Sequence, residues 1–308
     1  MSLSKSYTVA LKIDHQNIYG GGKIKLEHED LINKVLSHHI FWVQETWLGK
    51  NDPCPDIRGY SIFRSERKKH IKGLRNSGGS VIYVKRQFIG GISKISSQSN
   101  EHGDVIWLKL DKNFFGLEQN LLLCYAYIVP TANQEAFDLL KSEIELNSNK
   151  GVICILGDLN SRLGNKSFTH FDISVKDGET VIKELDVPKR YCQDKKTNGN
   201  GRKLFKFLGN YEFMPANGTV MGDLKGRYTC VSWNGMSCND LFLFHRSLLA
   251  RINYFRVWDN FDWYSDHKAI SLSIRVNVTH IRNTGRLWRA LAKKRMNWSQ
   301  DNVAKLQN

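Results

Sequence analysis

Short polar segments stand next to three apolar runs of strand length, and each segment carries a carboxylate. Residues 40–43 are followed by Gln44-Glu45-Thr46, and residues 152–156 by Gly157-Asp158-Leu159-Asn160. Ser265-Asp266-His267 follows a further apolar run near the end of the chain. One carboxylate after a strand is common, because turns favour Asp and Asn for their local hydrogen bonds. Three carboxylates, an amide and an imidazole at strand ends predict a metal-dependent phosphoester hydrolase.

The apolar runs also predict the fold class. Runs rich in β-branched and aromatic residues predict strands at residues 8–13, 40–43, 80–84, 105–110, 121–128, 152–156, 228–232, 240–244 and 269–276. Apolar residues at helical spacing predict helices around residues 31–36, 137–144 and 204–211. No low-complexity linker interrupts this pattern, so we expect an α/β (α+β) fold. Residues 1–276 would form one catalytic domain, and residues 277–308 a basic C-terminal extension or connector.

The balance of charge points to a polyanionic partner. The chain has 45 Lys and Arg against 30 Asp and Glu, a formal net charge of +15. A field of this sign favours nucleic acid first and acidic membrane surfaces second, although solvated basic faces are the common alternative. The candidate DNA-binding residues are Arg67, Lys68, Lys69, Lys72, Arg75, Arg162 and Arg202.

Cysteine usage and the N-terminal segment bear on the compartment. The six cysteines show no Cys-x-x-Cys spacing, and Cys124 and Cys154 lie inside apolar runs. A zinc site or disulfide framework is therefore not expected, and a reducing compartment fits. Residues 1–12 lack the apolar core of a signal peptide, and residues 121–130 are too few to span a bilayer. We expect an intracellular protein without membrane contact, nuclear when it acts on DNA.

The side chains of the three polar segments suit phosphodiester hydrolysis, which needs an activated water and help for the leaving oxygen. Glu45 is a hard oxygen ligand suited to Mg²⁺ or Mn²⁺. We expect Asp158 to accept a proton from the attacking water, with the Asn160 amide on the same side. Of the adjacent Asp266 and His267, one would reach the metal and the other would donate to a phosphoryl oxygen.

Two further features lie near these segments in sequence. Asp240 begins another predicted strand and is a candidate orienting partner for the His267 imidazole. Trp233 and Trp263 are close to the acids, and we expect both to pack in the core, with stacking against DNA bases as the alternative.

The three polar segments, in this order, resemble the endonuclease/exonuclease/phosphatase superfamily. Three further stretches resemble the apurinic-endonuclease-like endonuclease domain of non-LTR (LINE-type) retrotransposons, at residues 157–165, 200–204 and 217–240. The resemblance covers nearly all of residues 8–276. It implies a four-layer, DNase I-like fold, in which a two-sheet β-sandwich is flanked by helices and the site lies at one edge.

The resemblance also implies roles for individual residues. Glu45 and Asp266 would belong to the metal site, with Asn17 in the position of the family's N-terminal asparagine. Tyr127 would contact the phosphate or assist the leaving group. The positions that would activate water and stabilise the transition state are Asp158, Asn160, Asp240 and His267. The implied products on double-stranded DNA are a 3′-hydroxyl and a 5′-phosphate, and a reverse transcriptase domain in the full-length element would extend that hydroxyl.

Two positions depart from the family pattern. Asn239 replaces the usual apolar residue before the aspartate, and Leu159 replaces a commoner aromatic residue. No catalytic position is lost, so we expect an active, Mg²⁺-dependent DNA endonuclease of retrotransposon origin. Two alternatives stay open: a superfamily phosphatase acting on inositol phosphates or phosphoinositides, and a basic nucleic-acid-binding relic that no longer turns over.

Overall fold

A computed structural model of the chain describes residues 6–65, 78–100, 103–131, 134–166, 170–176, 179–185, 188–259 and 264–279. Within these residues the α-helices are α1 Gly22–Leu26, α2 Glu29–Leu36, α3 Lys112–Phe115, α4 Gln134–Asn147 and α5 Gly199–Gly209, and short 3-10 helices span Arg86–Gly91, Ser148–Lys150 and Arg246–Arg251. The strands are β1 Ser6–Asn17, β2 Ile40–Gln44, β3 Tyr60–Ser65, β4 Ser80–Lys85, β5 Ile92–Asn100, β6 Gly103–Leu110, β7 Leu121–Ile128, β8 Val152–Asp158, β9 His170–Lys176, β10 Glu179–Leu185, β11 Phe213–Pro215, β12 Cys230–Ser232, β13 Gly235–Ser237, β14 Asp240–His245, β15 Ile252–Val257 and β16 Ile270–Thr279.

Most of these strands form two mixed sheets of six. The first sheet has the order β15-β16-β1-β2-β4-β3, and the second has the order β11-β14-β8-β7-β6-β5. Each sheet contains one parallel pair, β1 with β2 and β7 with β8, and the other pairs are antiparallel. Two separate hairpins, β9 with β10 and β12 with β13, complete the described strands.

An apolar core fills the space between the two sheets. Ile13 and Trp42 from the first sheet and Leu156 and Phe242 from the second are fully buried in it. Burial of a side chain of this size contributes about 1.5–3 kcal/mol, which the entropy lost on ordering the chain largely offsets. The two sheets are therefore held face to face as a sandwich.

Helices cover the outer face of each sheet. Leu140 of α4 and Leu204 of α5 are buried against the second sheet, and Leu26 of α1 and Val35 of α2 are buried against the first. Leu36, which the sequence pattern placed on the apolar face of α2, is instead 45% exposed. The resulting order of helix, sheet, sheet and helix confirms the predicted two-sheet sandwich.

Each predicted strand and helix overlaps an observed one. None of the helices in the described ranges is both long and apolar enough to cross a bilayer. Several sequence predictions fall outside those ranges: the DNA contacts Arg67, Lys68, Lys69, Lys72 and Arg75, the placement of Trp263, and the nature of residues 280–308.

Candidate active site

Four strand ends meet at one edge of the sandwich. In the first sheet, β1 and β2 run parallel and end together, with Asn17 opposite Gln44. In the second sheet, β14 begins where β8 ends, with Asp240 opposite Asp158. Polar side chains that are far apart in sequence therefore come together at this edge.

The segment Ser265-Asp266-His267 reaches the same edge by another route. It lies in the loop between β15 and β16, and not directly after a strand as the sequence pattern indicated. The Ser265 hydroxyl donates to the backbone oxygen of Asn17 at 2.6 Å and accepts from the His267 backbone N–H at 3.0 Å. The Gln16 side chain donates to the His267 carbonyl at 3.0 Å. These bonds anchor the loop to the end of β1.

Asn17 links the carboxylates of the two sheets. Its Nδ2 lies 3.1 Å from Glu45 Oε1 and 3.1 Å from Asp158 Oδ2, and donates to both. Its Oδ1 accepts from the Tyr19 backbone N–H at 2.9 Å. Since all these polar atoms of Asn17 are engaged, the amide holds Glu45 and Asp158 at a fixed separation.

Gln44 makes a second connection between the sheets beneath that amide. Its Oε1 accepts from the Asp158 backbone N–H at 3.1 Å and from Nε2 of His15 at 2.7 Å. Its Nε2 donates to the Ala126 carbonyl at 3.4 Å. Gln44 is fully buried. A buried amide with such partners is costly to replace, because the groups left behind lose their hydrogen bonds without gaining water.

His267 lies between two carboxylates. Its Nδ1 is 2.9 Å from Asp240 Oδ2, and its Nε2 is 3.9 Å from Asp158 Oδ2. Burial alone would favour the neutral imidazole, but the Asp240 and Asp158 carboxylates outweigh it and raise the pKa of His267 well above its usual value. The two carboxylates therefore favour the protonated imidazole, and its Nε2 lies 3.9 Å from both Asp158 and Asp266.

Asp240 is positioned as well as buried. The Thr229 hydroxyl oxygen accepts from the backbone N–H of Asn239 at 3.1 Å and of Asp240 at 3.0 Å. Burial opposes ionisation of Asp240, but the charge and hydrogen bond of His267 hold the pKa of this carboxyl below its usual value. Asp240 thus stays ionised beside the imidazole it orients.

The pKa of Asp158 is raised, whereas that of Asp240 is lowered. Burial is the main cause that raises its pKa, to about 7, with His267 opposing the shift and Asp240 adding to it. The Asn160 backbone N–H donates to Asp158 Oδ1 at 3.0 Å. A carboxyl group with a pKa near neutrality can take up and release a proton under physiological conditions.

The backbone at this edge takes unusual conformations. Glu45 and Asn160 have φ values of 55° and 44°, a left-handed region that non-glycine residues seldom adopt outside functional sites and turns. Gly157 has φ 144°, and a Cβ there would lie 2.0 Å from the Ala126 carbonyl oxygen. The Asn160 side chain donates to the Ile128 carbonyl at 2.8 Å. The Asn160 backbone and side chain are thereby held beside Asp158.

Tyr127 lies at the end of β7, next to β8 in the second sheet. The parallel register pairs Tyr125 with Leu156. Two residues further along each strand are Tyr127 and Asp158, so both stand on the same face at the same edge. Tyr127 is 7% exposed.

The oxygen donors at this edge fit a hard divalent cation. Oδ1 of Asp266 is buried and has no hydrogen-bond partner within the described ranges. Glu45 accepts from Asn17 and, at 3.4 Å, from the Trp47 indole. The Lys25 ammonium interacts electrostatically with both Asp266 and Glu45, so the two carboxylates face one region. Mg²⁺ and Mn²⁺ prefer such donors, and Glu45 and Asp266 would hold the ion. The amide of Asn17 is already engaged with Glu45, Asp158 and Tyr19, so a direct contact of Asn17 with the ion stays a prediction.

The predicted DNA contacts that the structure describes differ in their surroundings. Arg202 is exposed on the first turn of α5. Arg162 instead donates through Nε to Asp194 Oδ2 at 2.7 Å and through a terminal nitrogen to the other Asp194 oxygen. Its guanidinium thus has a structural partner, and its contact with DNA stays a prediction.

Trp233 corrects the sequence-based expectation of core packing. It lies in the two-residue turn between β12 and β13 and is 94% exposed. The base of this hairpin is tied to the loop of residues 265–267, because the Val231 backbone N–H donates to the Asp266 carbonyl at 2.8 Å. The hairpin therefore presents an aromatic ring to solvent from a base fixed beside the site.

Four residues that position the site received no role from the sequence. Gln44 and Ser265 stand inside the polar segments, and Thr229 lies in the stretch 217–240. For these three residues the neighbouring sequence therefore already pointed to the site. The only indication for Gln16 in the sequence was its position next to Asn17. Their hydrogen-bond partners lie up to 251 residues away in the chain.

No family model and no curated protein matches this sequence. Solved structures do match. The endonuclease domain of TRAS1, a telomere-specific non-LTR retrotransposon, superposes with a TM-score of 0.55 at 15% identity, over 86% of this chain and 98% of that one. The catalytic domain of Xenopus laevis APE2 gives a TM-score of 0.59 at 16% identity, over 88% and 94%. The AP endonuclease LMAP from Leishmania major gives 0.59 at 14% identity, over 86% and 87%.

At these identities the likeness establishes the fold. The chain has the DNase I-like α/β sandwich of endonuclease/exonuclease/phosphatase proteins, as the three polar segments indicated. The likeness extends over most of each chain, so the whole sandwich is shared and not one sheet of it.

Proposed function

We propose that this chain is a divalent-metal-dependent endonuclease that nicks double-stranded DNA and leaves a 3′-hydroxyl and a 5′-phosphate. The observation that carries the proposal is the position of His267, with Asp240 at Nδ1 and Asp158 near Nε2. Glu45 and Asp266 share the same edge of the sandwich. A base, an acid and a set of hard oxygen ligands around one opening suit phosphoester hydrolysis.

Each of these residues has a separate role in the hydrolysis. Asp158 accepts a proton from the attacking water, because its pKa of about 7 makes it an effective base at neutral pH. The water oxygen bonds to phosphorus, and the bond from phosphorus to the 3′ oxygen breaks. His267 donates from Nε2 to a non-bridging oxygen, which stabilises the charge that develops there. Tyr127 contacts the phosphate or assists the departing oxygen.

A bound Mg²⁺ or Mn²⁺ would supply positive charge that neutralises the phosphate and the leaving oxygen. Glu45 and Asp266 would hold it with carboxylate oxygens, and Asn17 would keep Glu45 in place through the 3.1 Å hydrogen bond. Asn160 would place the water through its position directly after Asp158.

The surface beside the site favours DNA as substrate. A depression whose lining includes Lys268, the residue after His267, also contains Lys225, Arg227 and Asp259. Arg227 is paired with Asp259 at 2.9 Å, whereas the ammonium groups of Lys225 and Lys268 have no side-chain partner in the described ranges. Unpaired cations of this kind neutralise backbone phosphates, and they give an affinity that falls steeply with salt.

We further propose a retrotransposon origin, with a reverse transcriptase domain as partner in the full-length element and action in the nucleus. The support is the sequence resemblance in residues 157–165, 200–204 and 217–240, together with the likeness to the TRAS1 endonuclease domain. The sequence resemblance carries this proposal, and the likeness to the TRAS1 domain is consistent with it because that domain has the same fold.

The test is a direct comparison of substrates. The protein is incubated with Mg²⁺ and either supercoiled plasmid DNA or an inositol polyphosphate. We expect conversion of the plasmid to the nicked circle, abolished by a chelator and restored by Mg²⁺, and no phosphate release. Phosphate release without nicking would establish the phosphatase instead, and inactivity on both substrates would favour the non-catalytic relic.

A further inference from the structure

A thiol stands at the active site beside the catalytic histidine. Cys230 begins β12, and its backbone forms an antiparallel bridge with His267. Its Sγ lies 3.9 Å from Asp266 Oδ2, and His267 Nε2 lies 3.9 Å from Asp266 Oδ1. One sulfur, one nitrogen and one carboxylate oxygen of these three residues lie within 4.8 Å of one another.

The Cys230 thiol donates to Asp266 within the cluster, and the other two residues each turn one atom toward it. His267 Nδ1 is taken by Asp240 at 2.9 Å, which leaves Nε2 as the nitrogen that faces the cluster. A carboxylate behind the other ring nitrogen is the usual arrangement of metal-binding histidines, because it fixes the ring and makes the free nitrogen more basic. Asp266 Oδ1 is buried with no hydrogen-bond partner in the described part of the chain.

The chemistry of this set differs from that of the Mg²⁺ ligands. Mg²⁺ takes oxygen donors and retains water, whereas a thiolate with an imidazole and a carboxylate selects a softer ion. Zn²⁺ binds three protein ligands of these types in an open site, with water or another ligand in the fourth position. The cysteine spacing in the sequence argued against zinc, but here the ligands come from two segments that the fold brings together.

We propose that Cys230, Asp266 and His267 form a binding site for a thiophilic divalent cation such as Zn²⁺, and that its occupation inhibits the nuclease. Binding releases the thiol proton and the Nε2 proton of His267 to solvent, because only the deprotonated atoms are ligands. The bound ion then occupies the nitrogen that donates to the phosphoryl oxygen, and it takes an oxygen of Asp266 away from Mg²⁺. The inhibition rests on the proposed nuclease activity, whereas the ion site does not.

A second pair of thiols provides a matched control. Cys192 and Cys238 are both buried and share a hydrogen bond between their side chains. Two adjacent thiols can also take a soft ion, so replacement of Cys192 distinguishes binding there from binding at Cys230. Cys230→Ser keeps the size of the side chain but replaces the soft ligand with a hydroxyl.

The test follows binding and activity separately. Co²⁺ or Cd²⁺ is titrated into the metal-free protein, and the thiolate-to-metal charge-transfer absorption is recorded for wild type, Cys230→Ser and Cys192→Ser. We expect a band at one ion per chain in wild type and Cys192→Ser, and its loss in Cys230→Ser. Nicking with Mg²⁺ is then measured at increasing Zn²⁺. The Zn²⁺ concentration that halves the rate is compared with each protein's own rate in Mg²⁺ alone. Cys230→Ser should need at least about tenfold more Zn²⁺ for half inhibition, because it has lost a ligand.

A band that survives in Cys230→Ser but is lost in Cys192→Ser would overturn the site, and so would the absence of any band. Equal inhibition of wild type and Cys230→Ser by Zn²⁺ would overturn the regulatory role. The absorption band reports the site even in a protein that does not nick DNA. Failure of the proposed function and failure of the site therefore give different results.

Discussion

Asp240 Oδ2 and His267 Nδ1 lie 2.9 Å apart at the edge of the sandwich, although 27 residues separate them in the chain. The bond fixes the orientation of the ring, so Nε2 must face Asp158. It also stabilises the charged imidazole against the cost of burial. The catalytic assignment of His267 therefore depends on a carboxylate that need not touch the substrate.

Removal of that charge tests the relationship. Asp240→Asn keeps a similar shape but loses the negative charge, and we expect the single-turnover nicking rate to fall by about 100-fold or more. Asp138→Asn, on the exposed surface of α4, is the control and should nick at the wild-type rate. Equal rates in the two variants would contradict the role assigned to Asp240.

The exposed ring of Trp233 should contribute to DNA binding and not to stability. Stacking of one base on an aromatic ring contributes about 1–3 kcal/mol, so Trp233→Ala should weaken DNA binding about 5- to 150-fold. Trp233→Phe should restore most of the affinity. The melting temperature should not change, because the side chain is 94% exposed. If Trp233→Ala lowered the melting temperature and left the affinity for DNA unchanged, Trp233 would have a packing role and no role in DNA binding.

Asp194 should stabilise the loop that carries Arg162. It accepts from Arg162 Nε at 2.7 Å and from the Cys238 backbone N–H at 3.0 Å. Loss of one partner of a buried pair is expensive, but the Arg162 side chain is 23% exposed, so we expect Asp194→Ala to lower the free energy of unfolding by about 1–3 kcal/mol. Urea denaturation measures this.

The control for Asp194 is a similar pair at the surface. Glu118 accepts from Arg251 at 3.2 Å, and its side chain is 89% exposed. Glu118→Ala should change stability by less than about 1 kcal/mol. If the two variants lose the same stability, the Arg162–Asp194 pair has no special structural role.

His39 should make the protein less stable in mild acid. Burial, and then the Lys85 and Lys12 ammonium groups, lower the pKa of His39 from 6.5 to about 4. Between these values the unfolded chain binds a proton that the folded chain does not, so stability falls as the pH falls from 6.5 toward 4. The Lys12 backbone N–H donates to His39 Nδ1 at 3.0 Å, an acceptor that Asn can replace.

The measurement is the difference in unfolding free energy between pH 7 and pH 5. Between pH 7 and pH 5, the unfolding free energy of His39→Asn should fall by about 1–2 kcal/mol less than that of wild type. Solvent screens the partly exposed ring, so the effect is smaller than the two pKa values alone would give. Identical pH dependence in both proteins would mean that His39 titrates in the same way when folded and unfolded.

The central strands were predictable from the sequence and the outermost ones were not. Central strands such as β7 and β8 are covered on both faces, so they consist of nearly continuous apolar residues. The strands that were missed in the two sheets are β3, β5, β11 and β15, which lie at the outer ends of the strand orders. A strand at an edge is partly solvated, so its composition resembles that of a loop.

The site was predictable in its residue types and only partly in its connections. Asp158, Asp240 and His267 stand at positions where polar residues meet predicted strands, and the structure brings them together. The bond from Gln44 to the Asp158 backbone joins residues 114 apart. No local pattern contains that information, because it depends on how the two sheets pack.

The most direct test of the account is Mg²⁺-dependent nicking of supercoiled plasmid by wild type, Glu45→Ala and His267→Ala, with the ends of the nick mapped. The account predicts nicks with a 3′-hydroxyl and a 5′-phosphate from wild type. It also predicts rates at least about 100-fold lower from both folded variants, because each loses a group that acts on the phosphate. Wild type that nicks no faster than the two variants would contradict it.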